Sequence, residues 1–413
     1  MKKLIGNIVV GQSGGPTAAI NATLAGVLRG ARAAIEDGVA EKVYGMRYGV
    51  EGLLEGKLAD VTPLAMSETE LSILEQTPAA ALGSCRRRLP DPQRDAETYE
   101  KLLSVFKAYN IRYFFYIGGN DSMDTVARLS KYLEGKDYEM RVVGVPKTID
   151  NDLCGTDHTP GYGSAAKYVA TTVSEILRDT AVYTVPAVTI VEIMGRDAGW
   201  LTAASALPGA VTGIGPDLVY LPEHPFDMED FFKEVESAFK KHPNLVVCVS
   251  EGIRFKDGRY VGEGTQSGAT DVFGHKYLSG TGKCLEIAVK ERFGCKVRSV
   301  ELNLPQRCAG HLLSLTDIKE SVKIGKAAVG AAVKGNTGCM MAFIRKAGNY
   351  AVTTKALPVA QIANQVRHVP REYINKKGTH ITEEGIAYIA PLVAGEYRTK
   401  FASGLPVHWI FEQ

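Results

Sequence analysis

The hydrophobic residues of the chain fall into short β-branched runs, and each run ends in a glycine-rich or polar turn followed by an amphipathic stretch. Strands that alternate with helices in this way are typical of parallel sheets covered by helices on both faces. Ligands of such sheets bind beyond the carboxyl ends of the strands, so the turns there are where we expect chemistry. The pattern predicts these elements: strand Leu4–Val10, helix Ala18–Ala34, strand Tyr113–Ile117, helix Met123–Leu133, strand Arg141–Val145, helix Ser164–Arg178, strand Ala187–Ile193, helix Leu201–Leu207 and strand Asn244–Val249.

Composition narrows the class of protein. The 413 residues include 48 Lys and Arg against 46 Asp and Glu, and a net charge of +2 gives no electrostatic reason to bind nucleic acid or an anionic membrane. A hydrophobic fraction of 45% excludes wholesale disorder. The seven scattered cysteines form no CxxC pair, and the apolar run in MKKLIGNIVVG is too short to span a membrane. We therefore expect a reduced, cytoplasmic protein.

Two turns are rich in glycine and suit an anion. The first, GQSGGPT at residues 11–17, lets backbone N–H groups approach a phosphate at the start of a helix. It matches neither GxGxxG nor the P-loop pattern, which disfavours a dinucleotide-binding oxidoreductase. The second, GGNDS at residues 118–122, adds side-chain oxygens suited to Mg²⁺ or its water. The structural alternative is a simple connection in which Asn-Asp-Ser caps the next helix.

Two further turns bring charged residues to strand ends. PKTIDND at residues 146–152 holds one lysine and two carboxylates, which could neutralise phosphate and take a proton from a sugar hydroxyl. The alternative is that these charges only pair with each other. MGRDAGW at residues 194–200 places Arg196 where it suits phosphate or sugar, while Trp200 is expected in the core. The basic run at residues 86–88 is either a solvated face or a polyanion site.

Together these turns describe phosphoryl transfer, and the chain resembles the phosphofructokinase family. The motifs GQSGG, LGSCR, GGNDS, PKTIDND, MGRDAGW and SEG occur in that family's order and approximate spacing, over residues 4 to about 345. The resemblance implies two stacked Rossmann-like α/β/α domains with the active site between them. Residues 1–150 would form the domain on the phosphate-donor side and residues 151–345 the domain on the sugar-phosphate side, with the chain crossing back between them. Residues 346–413 would be a C-terminal extension of unknown role.

The resemblance also implies a reaction, the transfer of a phosphoryl group to the 1-hydroxyl of fructose 6-phosphate with Mg²⁺. It implies that Asp150 is the general base and that Asn120 and Asp152 lie at the metal. The residues implied to bind the phosphate donor are Gly14 and Arg86. The residues implied to bind the sugar phosphate are Thr148, Ile149, Asp150, Met194, Gly195, Arg196, Glu251, Arg298 and Arg307, of which the two last would hold the 6-phosphate.

The phosphate donor is indicated by Asp121 and Lys147. ATP-using members of the family carry glycine at both positions, so the resemblance implies pyrophosphate. Asp121 would oppose a nucleotide α-phosphate by bulk and charge, and Lys147 would meet the charge of the leaving orthophosphate. The structural alternative is that Asp121 caps the following helix with Lys147 as its surface ion-pair partner.

Three positions depart from the family pattern. Asn120 stands where a metal-binding carboxylate is usual, Leu304 where a sugar-phosphate contact is common, and Ala187 where tetrameric members often place an arginine. The departure at Ala187 bears on the assembly, for which a homo-oligomer, with a dimer favoured, stays the expectation. The alternatives left open are an ATP-dependent kinase, a pyrophosphate kinase for sedoheptulose 7-phosphate, and a catalytically weak regulatory subunit.

Overall fold

The structure, a computed structural model, describes residues 4–263 and 280–411. Its strands are β1 Asn7–Gln12, β2 Val43–Met46, β3 Leu58–Asp60, β4 Ile111–Gly118, β5 Arg141–Pro146, β6 Ala187–Ile193, β7 Leu218–Tyr220, β8 Asn244–Ser250, β9 Lys296–Glu301, β10 Cys339–Arg345, β11 Val352–Pro358, β12 Phe401–Ala402 and β13 Leu405–Pro406. Its helices are α1 Ile20–Glu36, α2 Gly49–Leu54, α3 Thr62–Met66, α4 Glu68–Gln76, α5 Ala96–Ala108, α6 Asn120–Leu133, α7 Tyr162–Thr180, α8 Trp200–Ala204, α9 Leu207–Thr212, α10 Met228–Phe239, α11 Thr281–Phe293, α12 Pro305–Cys308, α13 Leu315–Val333 and α14 Glu383–Ile389.

The larger sheet has seven strands in the order β11-β10-β5-β4-β1-β2-β3. Its five central strands are parallel, and the two edge strands, β11 and β3, pair antiparallel to their neighbours. Because β5, β4 and β1 lie side by side and parallel, the turns after them meet at one edge of the sheet.

The smaller sheet has four parallel strands in the order β7-β8-β6-β9. Separate hydrophobic clusters cover the two faces of each sheet, which is the α/β/α layering that buried, β-branched parallel strands require. The predicted fold class of two such α/β units is confirmed.

Most predicted elements are confirmed to within a few residues, and the prediction of one helix over Leu201–Leu207 is wrong. The chain forms two short helices there, α8 and α9, because Pro208 lies in the first turn of α9 and a proline cannot continue the preceding helix.

The chain returns to the larger sheet after leaving the smaller one at β9. The strand β10 pairs with β5, and β11 pairs with β10, so the division at residue 345 falls between two neighbouring strands of one sheet. The predicted domain bounds stay a prediction, since a strand pattern does not reveal which sheet a strand will join.

No helix among the described residues is both long and apolar enough to span a bilayer. All seven cysteines are free thiols in the described part of the chain.

Candidate active site

The turns after β1, β4 and β5 contact one another through the backbone. The Ser13 N–H donates to Ile117 O over 3.0 Å, and the Lys147 N–H donates to Gly118 O over 3.0 Å. The hydroxyl groups of Ser13 and Ser122 are hydrogen-bonded to each other. The sheet order therefore brings GQSGGPT, GGNDS and PKTIDND to a single site.

Lys147 is buried beneath the first glycine-rich turn, with 2% of its surface exposed. Its Nζ donates to Gly15 O over 2.6 Å, and a Cβ added at Gly14 would lie 3.4 Å from that Nζ. Gly14 has a φ of +75°, the left-handed region that glycine adopts at no steric cost. Burial lowers the pKa of Lys147 to about 8, against the opposing effect of Asp150.

Asp121 lies in the first turn of α6 and pairs with Arg88, whose Nε donates to its Oδ1 over 2.7 Å. The N-cap of this helix is Gly119, and no side chain caps it. The alternative in which Asp121 caps the helix and pairs with Lys147 is therefore wrong, since Lys147 is buried and donates to the first turn instead.

The LGSCR segment covers the first glycine-rich turn. The Gly14 N–H donates to Cys85 O over 3.0 Å, and Ser84 Oγ donates to Gly14 O over 2.7 Å. Arg86 follows directly and is exposed at this side of the site. The basic run is thus joined to the turn that sequence analysis assigned to the donor.

The two arginines expected to share one phosphate lie in different surroundings. Nη1 of Arg307, in α12, lies 3.4 Å from where a Cβ added at Gly15 would be. Burial lowers the pKa of Arg307, and the charge of nearby Arg86 lowers it further. Arg298 is exposed and opposite Thr189, three residues before the end of β9. The structure brings Arg307, but not Arg298, to the edge where the turns meet.

Asp150 follows β5 and is held by its own turn. Its N–H donates to Thr148 Oγ1 over 3.1 Å, and that hydroxyl donates back to Asp150 Oδ2 over 3.4 Å. Burial raises the pKa of Asp150, while the positive charge of Arg196 and the hydroxyl of Thr148 partly offset it. Burial, followed by the charge of Asp150, raises the pKa of Asp152 as well. A carboxylate with a raised pKa accepts a proton more readily near neutrality.

The smaller sheet contributes MGRDAGW after β6 and Ser-Glu-Gly after β8. The Gly195 N–H donates to Glu251 Oε1 over 3.3 Å. A Cβ added at Gly252 would lie 1.9 Å from Arg196 O, so this approach requires glycine. Burial raises the pKa of Glu251 to about 8, and Asp150 adds to that effect. Carboxylates from both sheets therefore influence each other across the site.

Two residues outside the predicted set, Gln306 and Glu223, also shape this site. Gln306, 1% exposed, accepts a hydrogen bond from the Met194 N–H through its Oε1 over 3.1 Å. Glu223 Oε1 accepts from the N–H of Gly199 over 2.9 Å and from that of Val369 over 2.8 Å. Neither residue lies in a recognisable motif, and the one available signal was that Gln306 precedes Arg307.

Asn120 provides the observation that bears on a metal ion. Its Oδ1 is buried and has no hydrogen-bond partner, which leaves an oxygen of the type Mg²⁺ prefers available for a ligand. No cluster of three His, Cys, Asp or Glu side chains suited to a metal occurs in residues 4–263 and 280–411. Mg²⁺ in phosphoryl-transfer sites is commonly held by one or two protein oxygens together with substrate phosphates, so the residues present fit it.

These features define a site for phosphoryl transfer, and comparison with known proteins identifies its family. The model of the family "Phosphofructokinase" matches residues 7–331, and the chain belongs to that family. The resemblance found in the sequence is thereby confirmed. Enzymes of this family generally use a divalent metal ion.

The chain is similar over almost its whole length to named relatives. It is 41% identical to a pyrophosphate–fructose 6-phosphate 1-phosphotransferase from Halomonas elongata, with 97% of this chain and 94% of that protein covered. It is 40% identical to a protein of the same name from Xanthomonas campestris pv. campestris, with 97% and 95% covered. The crystal structure of a pyrophosphate-dependent phosphofructokinase from Nitrosospira multiformis matches with a TM-score of 0.88 at 35% identity, covering 98% of this chain and 96% of that one.

Proposed function

We propose that this protein transfers a phosphoryl group reversibly from pyrophosphate to the 1-hydroxyl of fructose 6-phosphate. The products are fructose 1,6-bisphosphate and orthophosphate. The observation that carries the choice of donor is Lys147, a buried cation whose Nζ is held against the first glycine-rich turn. The names of the similar proteins support the same donor and the same sugar.

In the proposed reaction Asp150 takes the proton of the sugar 1-hydroxyl as that oxygen attacks the terminal phosphorus of pyrophosphate. The bond to the bridging oxygen breaks, and orthophosphate leaves beside Lys147, whose charge stabilises it. Arg196, whose positive charge acts on Asp150, and Glu251 bind the sugar. The backbone at Gly14 binds the donor phosphates.

The remaining site roles are assigned as follows. Arg86 binds the donor; Arg298 and Arg307 bind the 6-phosphate; Thr148, Ile149, Met194 and Gly195 line the sugar site. Arg298 lies away from the strand ends, so its role requires either a shift of the side chain or a place in an oligomer. The expected dimer and the expected cytoplasmic location stay predictions.

Mg²⁺ is the proposed metal, held by Asn120 and Asp152. When bound it would offset negative charge on the phosphates. Asn120 supplies a neutral ligand in place of a carboxylate, so we expect protein-only affinity for Mg²⁺ to be weak and affinity in the presence of pyrophosphate to be much higher.

Asp121 gives the sharpest test of pyrophosphate as the donor. In the proposal this side chain excludes a nucleotide, whereas in the alternative it only forms a surface ion pair with Arg88. We expect Asp121→Gly combined with Lys147→Gly to raise activity with ATP from near zero. Activity with pyrophosphate should fall by roughly 10²-fold or more, since the charge at the leaving group is lost. The control is Arg88→Ala, which breaks the ion pair but keeps Asp121. A double variant with an unchanged ratio of kcat/KM for the two donors would contradict the assignment.

A further inference from the structure

The segment at residues 366–369 lies in the C-terminal part of the chain and contacts two of the turns that form the site. Leu153 and Val366 form an antiparallel bridge, and the Arg367 N–H donates to Asp152 O over 2.7 Å. This segment is therefore attached to the PKTIDND turn immediately after the proposed base.

The same segment is attached to the MGRDAGW turn. The indole Nε1 of Trp200 donates to Arg367 O over 2.9 Å, and a ring nitrogen of His368 is hydrogen-bonded to Asp197 O over 2.8 Å. Through its backbone alone, Arg367 thus connects the turn that carries Asp150 to the turn that carries Arg196.

The guanidinium of Arg367 makes a second set of contacts. Its Nη1 donates to Thr156 O over 2.8 Å and also to Asp157 O, and its Nη2 donates to the hydroxyl of Tyr388 over 2.7 Å. The guanidinium carbon lies 4.3 Å from the centre of the Trp200 ring, within the range of a cation–π contact. One side chain therefore clamps the loop after Asp152 against the residue that ends MGRDAGW.

We propose that Arg367 is a positioning residue that fixes the turn bearing Asp150 relative to the turn bearing Arg196. This rests on the proposed function, in which those two side chains act on the same sugar. Proton transfer requires the base within hydrogen-bond reach of the hydroxyl, so a small displacement between the turns slows turnover more than it weakens binding.

Arg345 offers a matched control. It donates to Asp157 Oδ1 over 2.9 Å and to Tyr388 O over 3.2 Å, so it shares two neighbours with Arg367. Within the described part of the chain, the hydrogen bonds of its guanidinium go to these two residues. Removing it should cost comparable stability while leaving the contacts of the Arg367 guanidinium with Thr156 O and the Trp200 ring in place.

The test compares Arg367→Ala, Arg367→Lys and Arg345→Ala with the unmodified protein in steady-state kinetics, well below each melting temperature. We expect Arg367→Ala to lower kcat roughly tenfold to a hundredfold, with KM for fructose 6-phosphate changed less than about threefold. Arg367→Lys should recover part of kcat, because an ammonium can still donate to Thr156 O. A kcat for Arg367→Ala within twofold of that for Arg345→Ala would overturn the proposal.

Hydrogen exchange of the backbone amides gives a second measurement that does not depend on the reaction. We expect exchange at residues 152–157 and 197–200 to be faster in Arg367→Ala than in Arg345→Ala. Equal exchange in the two variants would overturn the positioning role even if the protein proved to use another substrate. Failure of the proposed function would appear differently, as an unmodified protein that is inactive with pyrophosphate and fructose 6-phosphate.

Discussion

We expect the ionisation of Lys147 to determine how kcat/KM for pyrophosphate changes at alkaline pH. Because burial lowers the pKa of Lys147 to about 8, its protonated fraction falls from about nine-tenths at pH 7 to about one-tenth at pH 9. A charge-assisted contact with phosphate is worth on the order of 1.5–3 kcal/mol. We therefore expect kcat/KM for pyrophosphate to fall about tenfold per pH unit above about pH 8, until the reaction of the neutral form takes over.

The perturbation is Lys147→Arg, since a guanidinium stays charged at every pH of the assay. The larger side chain in a buried position should lower maximal activity, but the loss above pH 8 should disappear or move upward by more than one pH unit. Both proteins use the same pyrophosphate, so its ionisation affects both pH profiles of kcat/KM equally. The difference between the two profiles therefore reports the ionisation of Lys147.

Glu251 requires a separate control, because burial raises its pKa to about 8 as well. The Glu251→Gln variant removes that ionisation and should keep the alkaline loss of pyrophosphate use. The assay is a coupled measurement of fructose 1,6-bisphosphate from pH 6 to 10 at saturating fructose 6-phosphate. If kcat/KM of Lys147→Arg falls at the same alkaline pH as that of the unmodified protein, the role of Lys147 is refuted. If the fall disappears in Glu251→Gln, it is caused by Glu251.

Three further predictions concern turnover, sugar binding and stability. Asp150→Asn should lower kcat by roughly 10²–10⁴-fold with a small change in KM, and a tenth of normal turnover would exclude Asp150 as the base. Arg307→Ala should raise KM for fructose 6-phosphate at least about tenfold, with Arg298→Ala measured in parallel; a rise confined to pyrophosphate would place Arg307 on the donor side. Burial raises the pKa of Glu192 to about 7, so the folded protein binds more protons than the unfolded chain between about pH 4.5 and 7, and stability falls as pH rises through that range. The melting temperature of Glu192→Gln relative to the unmodified protein should therefore rise from pH 5 to pH 8, and a constant difference would contradict this.

Sequence patterns predicted the parts of the fold where local and tertiary preferences agree. The strand Ala187–Ile193 has the predicted bounds because a run of β-branched residues buried on both faces is typical of a central parallel strand. The short helices between β2 and α5 were not predicted, since six-residue segments such as Gly49–Leu54 carry too little periodicity. The partner of a strand such as β10 depends on the path of the whole chain, which no local pattern contains.

The residues of the candidate site also divide into those that local sequence motifs predict and those that only the folded chain brings together. Motif residues such as Asp150 and Gly14 could be predicted as site residues because their chemistry and spacing within strand–turn–helix units are unusual. The ion-pair partner of Asp121 could not be predicted, since Arg88 is 33 residues away in an exposed segment. Residues 366–369 carry no motif at all, and they reach the site only because β10 and β11 return the chain to the larger sheet.

The choice of phosphoryl donor is the central claim, and one measurement tests it directly. Purified protein is assayed with Mg²⁺ and fructose 6-phosphate, and kcat/KM is compared for pyrophosphate and for ATP under identical conditions. We predict efficient formation of fructose 1,6-bisphosphate from pyrophosphate, reversal of the reaction with orthophosphate, and activity near zero with ATP. A protein that prefers ATP would contradict the roles assigned to Asp121 and Lys147.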